Sequence, residues 1–376
     1  MLEHDEVLVR GAGAVGLAAA LSLSRQGLRV ALLGTLAEPA APDLRAYALN
    51  AASVQLLQTL RVWEAIPDAA RTAVHDMHIE GDAPGAALDF SAWSAALPEL
   101  AWIVEAGELE KALRAAVRFA PHVTPVVSEV PATLQVLAEG RDSATRARLG
   151  VQWEQHSYGQ HALAARLISD EPHAGLARQW FRSPDVMALL PLQEPLFEGR
   201  PGHGLALVWS MPDERAAAFM AMSDDDFNRA LNEATAGAPG RLSLASSRAQ
   251  WPLSLGRAAS LHGAGWVLIG DAAHVVHPLA GQGLNLGLAD VAALASVVAE
   301  AREREPWRSL ADPRLLARYG RARSGAVRAM AGVTDGLLQL FASPLPLVKE
   351  LRNRGLSLAN HLPSLKRLLV RRAIGA

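Results

Sequence analysis

Residues 269–294 read IGDAAHVVHPLAGQGLNLGLADVAAL, and no other stretch constrains the fold as strongly. An apolar strand, Trp266 to Ile269, ends at Gly270 and Asp271, and the Gly-rich turn AGQG further on opens a long helix. A carboxylate at a strand tip and a helix N-terminus a few residues later make a site with two ends. Asp271 is placed to accept hydrogen bonds from sugar hydroxyls. The free N–H groups around Gly281, Gln282 and Gly283 suit an electron-rich heterocycle, because the first turn of a helix carries unpaired donors and partial positive charge.

Near the N-terminus, residues 7–33 read VLVRGAGAVGLAAALSLSRQGLRVALL. The pattern predicts a strand over 5–10, a helix over 14–26 ending near Gly27, and a continuous apolar strand over 28–33, as in a buried parallel sheet. Gly11, Gly13 and Gly16 lie at the first strand–helix junction. Glycine there permits a tight turn and close approach of backbone to a pyrophosphate, with the helix N-terminus aimed at the phosphates. Such a fingerprint commonly ends its second strand with Asp or Glu for the adenosine ribose. Gly34 stands there instead, so that contact is lost or falls to another residue such as Glu38. Together the two segments read as an FAD site.

Between them the chain alternates. Residues 45–63 have helical spacing, 75–104 are weakly strand-like, 107–119 form an amphipathic helix, and 133–138 form a short strand. From 161 to 210, four short alternating runs separated by turn residues signal an antiparallel sheet. Helices follow at 212–220 and 224–236. The strands 248–254 and 266–269 are expected to return the chain to the first domain, and from 282 the pattern is helical nearly to the end. The expected organisation is discontinuous: 1–70, 105–155 and 255–300 bind the dinucleotide, 71–104 and 156–254 form a substrate domain, and 301–376 are a helical C-terminal region.

Composition narrows the function. The chain has 376 residues, half of them hydrophobic, and a net charge of −2, which offers no sign of nucleic-acid binding. It has no cysteine, which excludes disulfides, thiolate metal sites, iron–sulfur clusters and cysteine nucleophiles. His274 and His277 lack an accompanying carboxylate cluster, so no metal site is expected. Neither a GxSxG elbow nor an HExxH motif is present. No secretory leader or uncharged apolar run of membrane-spanning length stands out, so a soluble or peripheral protein is expected. Residues 345–376 carry seven cations (Lys349, Arg352, Arg354, Lys366, Arg367, Arg371 and Arg372) against Glu350 alone. Two readings of this tail stand: a peripheral contact with an anionic membrane, and a solvated helical face.

In the order Gly270-Asp271, His274, Pro278, Gly281, Gln282, Gly283, Asn285 and Asp290, the first segment resembles the class A FAD-dependent monooxygenases and, within them, the ubiquinone-biosynthesis hydroxylases. DLRAYALNAASVQLLQTLRVW, with Arg45, and LPSLKRLLV near the C-terminus carry the likeness along nearly the whole chain. The resemblance implies an α/β fold: a Rossmann-like FAD-binding domain of the para-hydroxybenzoate-hydroxylase type, interleaved with an antiparallel-sheet substrate domain and followed by C-terminal helices. It assigns FAD binding to Gly11, Gly13, Gly16, Arg45, Asp271, Pro278, Gly281, Gln282, Gly283 and Asn285. The family's middle motif, an Asp-Gly pair after a β-meander that is associated with both FAD and NADPH, corresponds here to Glu139-Gly140, which the resemblance therefore also assigns to cofactor binding, with the meander cut short.

The resemblance further implies hydroxylation of an electron-rich, polyprenylated phenol. NAD(P)H would serve as transient co-substrate, O2 as oxidant, and a flavin C4a-hydroperoxide as oxygen donor. No catalytic side chain is assigned, because the flavin performs the chemistry. A cytoplasmic enzyme is expected, and a peripheral contact with the inner membrane, a homo-oligomer and a quinone-biosynthesis complex are left open. Gly34, Glu139 and the short meander motivate the contrary reading of a degenerate FAD-binding scaffold. Another flavin enzyme, a halogenase or prenyl-chain reductase, is the third alternative.

Overall fold

The computed structural model describes residues 5–38, 43–83, 85–276 and 282–342. Pro278, Gly281, His277, the Gln282 side chain and the basic tail 345–376 lie outside what the structure describes.

Strand β1 (Asp5–Arg10) pairs in parallel with β2 (Val30–Leu33), and helix α1 (Ala14–Ser24) crosses between them. This is the βαβ unit that the spacing of Gly11, Gly13 and Gly16 predicts. The sheet extends to six strands, in the order β16 (His262–Gly263), β17 (Trp266–Leu268), β9 (Ala132–Leu137), β1, β2 and β8 (Val123–Val126). All its pairings are parallel except β16 with β17. β8 passes to β9 through residues 127–131 alone, so no meander intervenes.

A second sheet has nine strands. Its order is β18 (His274–Val275), β15 (Ala249–Ala258), β10 (Trp153–Ser169), β13 (Gly204–Pro212), β12 (Asp185–Leu192), β11 (Leu176–Arg182), β5 (Asp76–Glu80) and β6 (Ala87–Ser91). β14 (Leu242–Leu244) also pairs with β10. Only the β11–β5 pairing is parallel. β15, expected to return the chain to the first sheet, instead pairs antiparallel with β10 along the second. The return is made by β16 and β17.

A third sheet joins β3 (Ala46–Leu49), β7 (Ala101–Glu105) and β4 (Arg71–Val74). It corrects the helical reading of 45–63, which begins with a strand. Asn50 ends that strand, accepting from the Ser53 N–H at 2.9 Å to cap helix α2 (Ala51–Thr59). Residues 45–49 lose their helical option because β7 offers a full antiparallel ladder.

Three apolar cores follow. The largest lies on the six-stranded sheet, under α1, α4 (Ala106–Arg118), α8 (Gln282–Arg304) and α9 (Pro313–Ala342). α8 is long and apolar enough to cross a membrane, but half of that span is buried within the protein. Leu284, Leu288 and Leu294 belong to the core that α8 shares with α1. The second core fills one face of the nine-stranded sheet, beneath α6 (Asp213–Ala221) and α7 (Asp224–Thr235). The third, smaller core joins that sheet's other face to the three-stranded sheet. The short helices α3 (Ala92–Ala95) and α5 (Ala144–Arg148) complete the described elements.

Candidate active site

One cavity of about 510 Å³ runs from the N-terminus of α1 to the nine-stranded sheet. Gly13, Gly16, Arg45, Gly140, Asp271 and Gly283 all line it, so segments far apart in sequence meet in a single cleft. Gly11 shapes its floor from behind. At φ +107° it adopts a backbone that L side chains avoid, and a Cβ there would stand 2.2 Å from the Ala138 carbonyl oxygen. A Cβ on Gly16 would meet the Gly11 oxygen at 1.9 Å. Gly13, by contrast, has open space before it, and as N-cap of α1 it offers no side-chain cap. The first N–H groups of α1 therefore face the cleft without a side-chain cap, an arrangement suited to a phosphate.

Gly34 is explained by the same backbone. A Cβ at that position would lie 2.8 Å from both the nitrogen and the Cβ of Ala12. An acid at the end of β2 is thus sterically incompatible with this turn, and Glu38 is exposed and does not line the cavity.

Asp271 sits on a 3-10 turn, Gly270–Ala272, that continues from β17. Its carboxylate is reached from the cleft and makes no hydrogen bond among the described residues. The surrounding protein nevertheless pushes its pKa up, against the pull of His274, Arg141 and Arg45. An acceptor that opens onto the cleft and has no partner among the described residues is chemically matched to hydroxyls supplied by a ligand.

The turn beneath it is held by a residue whose structural role the sequence did not disclose. Asp290 on α8 is fully buried. It accepts from the Gly270 N–H at 2.9 Å, from His274 Nε2 at 2.7 Å and from Arg323 Nε at 2.6 Å. Burial alone would raise its pKa, but His274 and Arg323 hold it below the ordinary carboxylate range. Charge inside an apolar helix is the signal that points to such a pin, since a buried carboxylate requires partners.

Arg45 lines the cleft with its guanidinium 2.6 Å from Asp43, and its charged form is favoured. Tyr47, two residues on, also faces the cavity. Burial pushes its phenol up to about 12, so it stays protonated at neutral pH.

Two expected site residues stand elsewhere. Glu139 does not line the cavity. It accepts from Ser143 Oγ at 2.5 Å and from Thr145 N and Oγ1 at 3.2 and 2.8 Å, and Arg10 Nε lies at 3.3 Å. Burial raises its pKa, yet these donors outweigh that and lower it. Its geometry is that of an anchor for the start of α5. Asn285 is also outside the cavity lining. Its amide donates to the Ala48 carbonyl at 2.7 Å and accepts from Asn50 N and Ser53 Oγ at 3.0 and 2.7 Å, tying α8 to β3 and α2. Buried Arg146 links the middle segment to the Asp271 turn, donating to the carbonyls of Ala272 at 2.9 Å and Arg141 at 2.7 Å. No group of metal-ligating side chains occurs among the described residues.

The far wall of the cavity is the nine-stranded sheet. Along its strands, alternate residues split between two faces. Leu163, Leu207, Trp209, Met187 and Leu189 point into the core under α6 and α7. Ala162, Ala164, Ala188 and Val208 point into the cleft, and their small side chains leave it open.

A glycine turn on a parallel sheet, a strand-tip acid, and an antiparallel floor sharing their cleft define a dinucleotide-cofactor protein with a built-in substrate chamber. The FAD binding domain family matches residues 4–334. The chain belongs to that family, the class A FAD-dependent monooxygenases, in the branch of the ubiquinone-biosynthesis hydroxylases. It is 30% identical to the 3-demethoxyubiquinol 3-hydroxylase of Escherichia coli, covering 99% of each chain. It is 29% identical to ubiquinone hydroxylase UbiL of Rhodospirillum rubrum, covering 98% of this chain and 89% of the relative. Among solved structures, a probable FAD-dependent monooxygenase of Pseudomonas aeruginosa, pqsL, superposes with a TM-score of 0.75 at 20% identity. It covers 94% of this chain and 99% of the other, and shows the same fold.

Proposed function

We propose that the protein hydroxylates a polyprenylated phenol or quinol on the route to ubiquinone, using NAD(P)H and O2. The observation that carries this reading is the single cavity joining the Gly11–Gly16 turn and Asp271 to the alanine-lined sheet. The residues fit FAD. The turn and the N-terminus of α1 would hold its pyrophosphate, Asp271 its ribityl hydroxyls, and Arg45 and the start of α8 at Gly283 would border its ring system. When bound, FAD accepts two electrons from NAD(P)H and activates O2, so that one oxygen atom enters a ring C–H bond and the other leaves as water. The names of the Escherichia coli and Rhodospirillum rubrum relatives support the ubiquinol substrate class.

The chain's own residues then have three tasks. The helix N-terminus beside Gly283 favours negative charge on whatever ring system faces it. Ala162, Ala164, Ala188 and Val208 exclude water and seat a flat apolar ring. Tyr47, protonated at neutral pH, offers a donor at the boundary between the two halves of the cleft. The test is purification with a visible flavin spectrum, followed by NAD(P)H oxidation stimulated by a prenylated phenol and detection of the ring-hydroxylated product. Protein without flavin supports the scaffold reading instead. Protein with flavin but no stimulated oxidation points to a different flavin enzyme.

A further inference from the structure

The cleft face of the nine-stranded sheet is apolar except at a few positions, and those positions lack partners. Gln179 on β11 and Ser210 on β13 are 8% and 3% exposed, and neither side chain makes a hydrogen bond among the described residues. Ser254 on β15 lines the same cavity, and its Oγ is buried with no partner at all. Burying a hydroxyl without a partner is costly, as at Ser254, and the unbonded polar groups of Gln179 and Ser210 open onto the same cavity, where a ligand can supply the missing partners.

Register places them. Gln179 pairs with Ala188, Ala188 with Val208, and Val208 with Ala164; two residues along, Ser210 pairs with Val186 and Ala162. Gln179 therefore stands on the same face as Ser210, two strands away and one two-residue step along. From strand spacing and rise this is roughly 12 Å between Cα atoms. Between them lie only Ala188, Val208 and Val186, which give a flat apolar bed with a polar group at each end. Below Gln179 the same face closes, because Ala177 and Ala206 pack with Ile103 and Val74 of the three-stranded sheet. Gln179 is thus a polar group next to the closed end of the chamber, with Arg178 beside it also on the lining.

We propose that Gln179 is a specificity-determining residue that reads the ring oxygen of the substrate: it hydrogen-bonds a free phenolic hydroxyl and disfavours its methyl ether. Ser210 holds a second oxygen at the opposite end of the bed. This rests on the hydroxylase reading above and adds to it a preference for rings with a free hydroxyl. A free hydroxyl both donates and accepts, and Gln179 offers both complements, whereas an ether only accepts and adds a methyl group beside Ala188. A site built to hydrogen-bond a hydroxyl rejects the analogue lacking it, because its own buried groups are left unpaired.

The test uses the FAD-loaded protein with two probes, 2-geranylphenol and 2-geranylanisole, and measures Kd from perturbation of the flavin absorption spectrum. Wild-type protein binds the phenol about tenfold more tightly, the worth of one net buried hydrogen bond. In Gln179→Leu that ratio falls to about one with FAD content unchanged, and Gln179→Asn, which keeps the amide on a shorter stem, recovers part of it. Ser210→Ala weakens the phenol but leaves a clear preference. Equal binding of the two probes by wild type, or a Gln179→Leu variant that keeps the wild-type ratio, overturns the assignment. A wild type that shows the tenfold ratio but hydroxylates neither probe leaves Gln179 in place and removes the hydroxylase reading instead.

Discussion

Replacing Asp290 with alanine tests how the cofactor turn is held. The carboxylate is fully buried and takes hydrogen bonds from Gly270, His274 and Arg323, at 2.9, 2.7 and 2.6 Å. Arg323 is itself only 7% exposed, so Asp290→Ala leaves a guanidinium in the interior without its counter-charge. Removing one partner of a buried pair costs about 3–5 kcal/mol. At about 2 °C per kcal/mol for a chain of this size, Tm should fall by about 6–10 °C. Removing both charges, in Asp290→Leu with Arg323→Leu, should restore most of the loss, because the penalty belongs to the stranded charge.

The pH dependence has a definite sign. The folded pKa of Asp290 is lowered, so its contribution is present above the unfolded value of about 3.9 and disappears as pH falls through the folded one. The Tm gap between wild type and Asp290→Ala should therefore be constant from pH 5 to 8 and shrink below about pH 4. Thermal melts followed by circular dichroism, on FAD-free protein, measure both effects. A gap under about 2 °C, or a double variant as unstable as the sum of the singles, would refute the view of Asp290 as the buried pin.

Other substitutions probe the remaining parts of the cleft. Gly11→Ala forces an unfavourable φ, at about 1–3 kcal/mol, and drives a methyl group into the Ala138 carbonyl; the protein should be recovered without flavin, as read from its visible spectrum. Asp271→Asn should weaken FAD by about 10–150-fold in Kd, the worth of a charged hydrogen bond, in a fluorescence titration. The same variant should raise the Tm of FAD-free protein at pH 7. The folded pKa of Asp271 is raised, so its ionised form opposes folding above that pKa, and the opposition vanishes below the unfolded value. Ala164→Phe fills the chamber from the sheet side: flavin content should be retained, while NAD(P)H oxidation ceases to respond to an added prenylphenol.

The parts of this fold that are legible in sequence are those where local chemistry is extreme. The βαβ start reads directly because Gly11, Gly13 and Gly16 follow a strand pattern, open a helix pattern and precede a second, continuously apolar strand. The convergence of Gly13, Gly16, Arg45, Asp271 and Gly283 on one cleft agrees with their motif. Tertiary partners decided the rest. β3 is helical by its own pattern and becomes a strand because β7 lies alongside it. β15 is expected to lead back towards the first domain, but its apolar alternation does not name its neighbour, which is β10. Glu139 and Asn285 are expected cofactor contacts from their motifs alone, and the sequence does not show their partners within the protein. Their carboxylate and amide are engaged by Arg10, Ser143 and Thr145, and by Ala48, Asn50 and Ser53, of which Arg10 and the three partners of Asn285 are far away in sequence. Gln179 and Ser210 are ordinary strand residues until the register sets them on one face.

The division of labour across the nine-stranded sheet has an evolutionary consequence. Because successive residues of β10, β12 and β13 serve opposite sides, the chamber can be recut without disturbing the hydrophobic mass under α6 and α7. A few point changes among Ala162, Ala164 and Ala188 would redraw the outline of an accepted ring, while Leu163, Leu189 and Trp209 keep the scaffold standing. Selection can thus retune what enters this protein at positions where stability is largely indifferent.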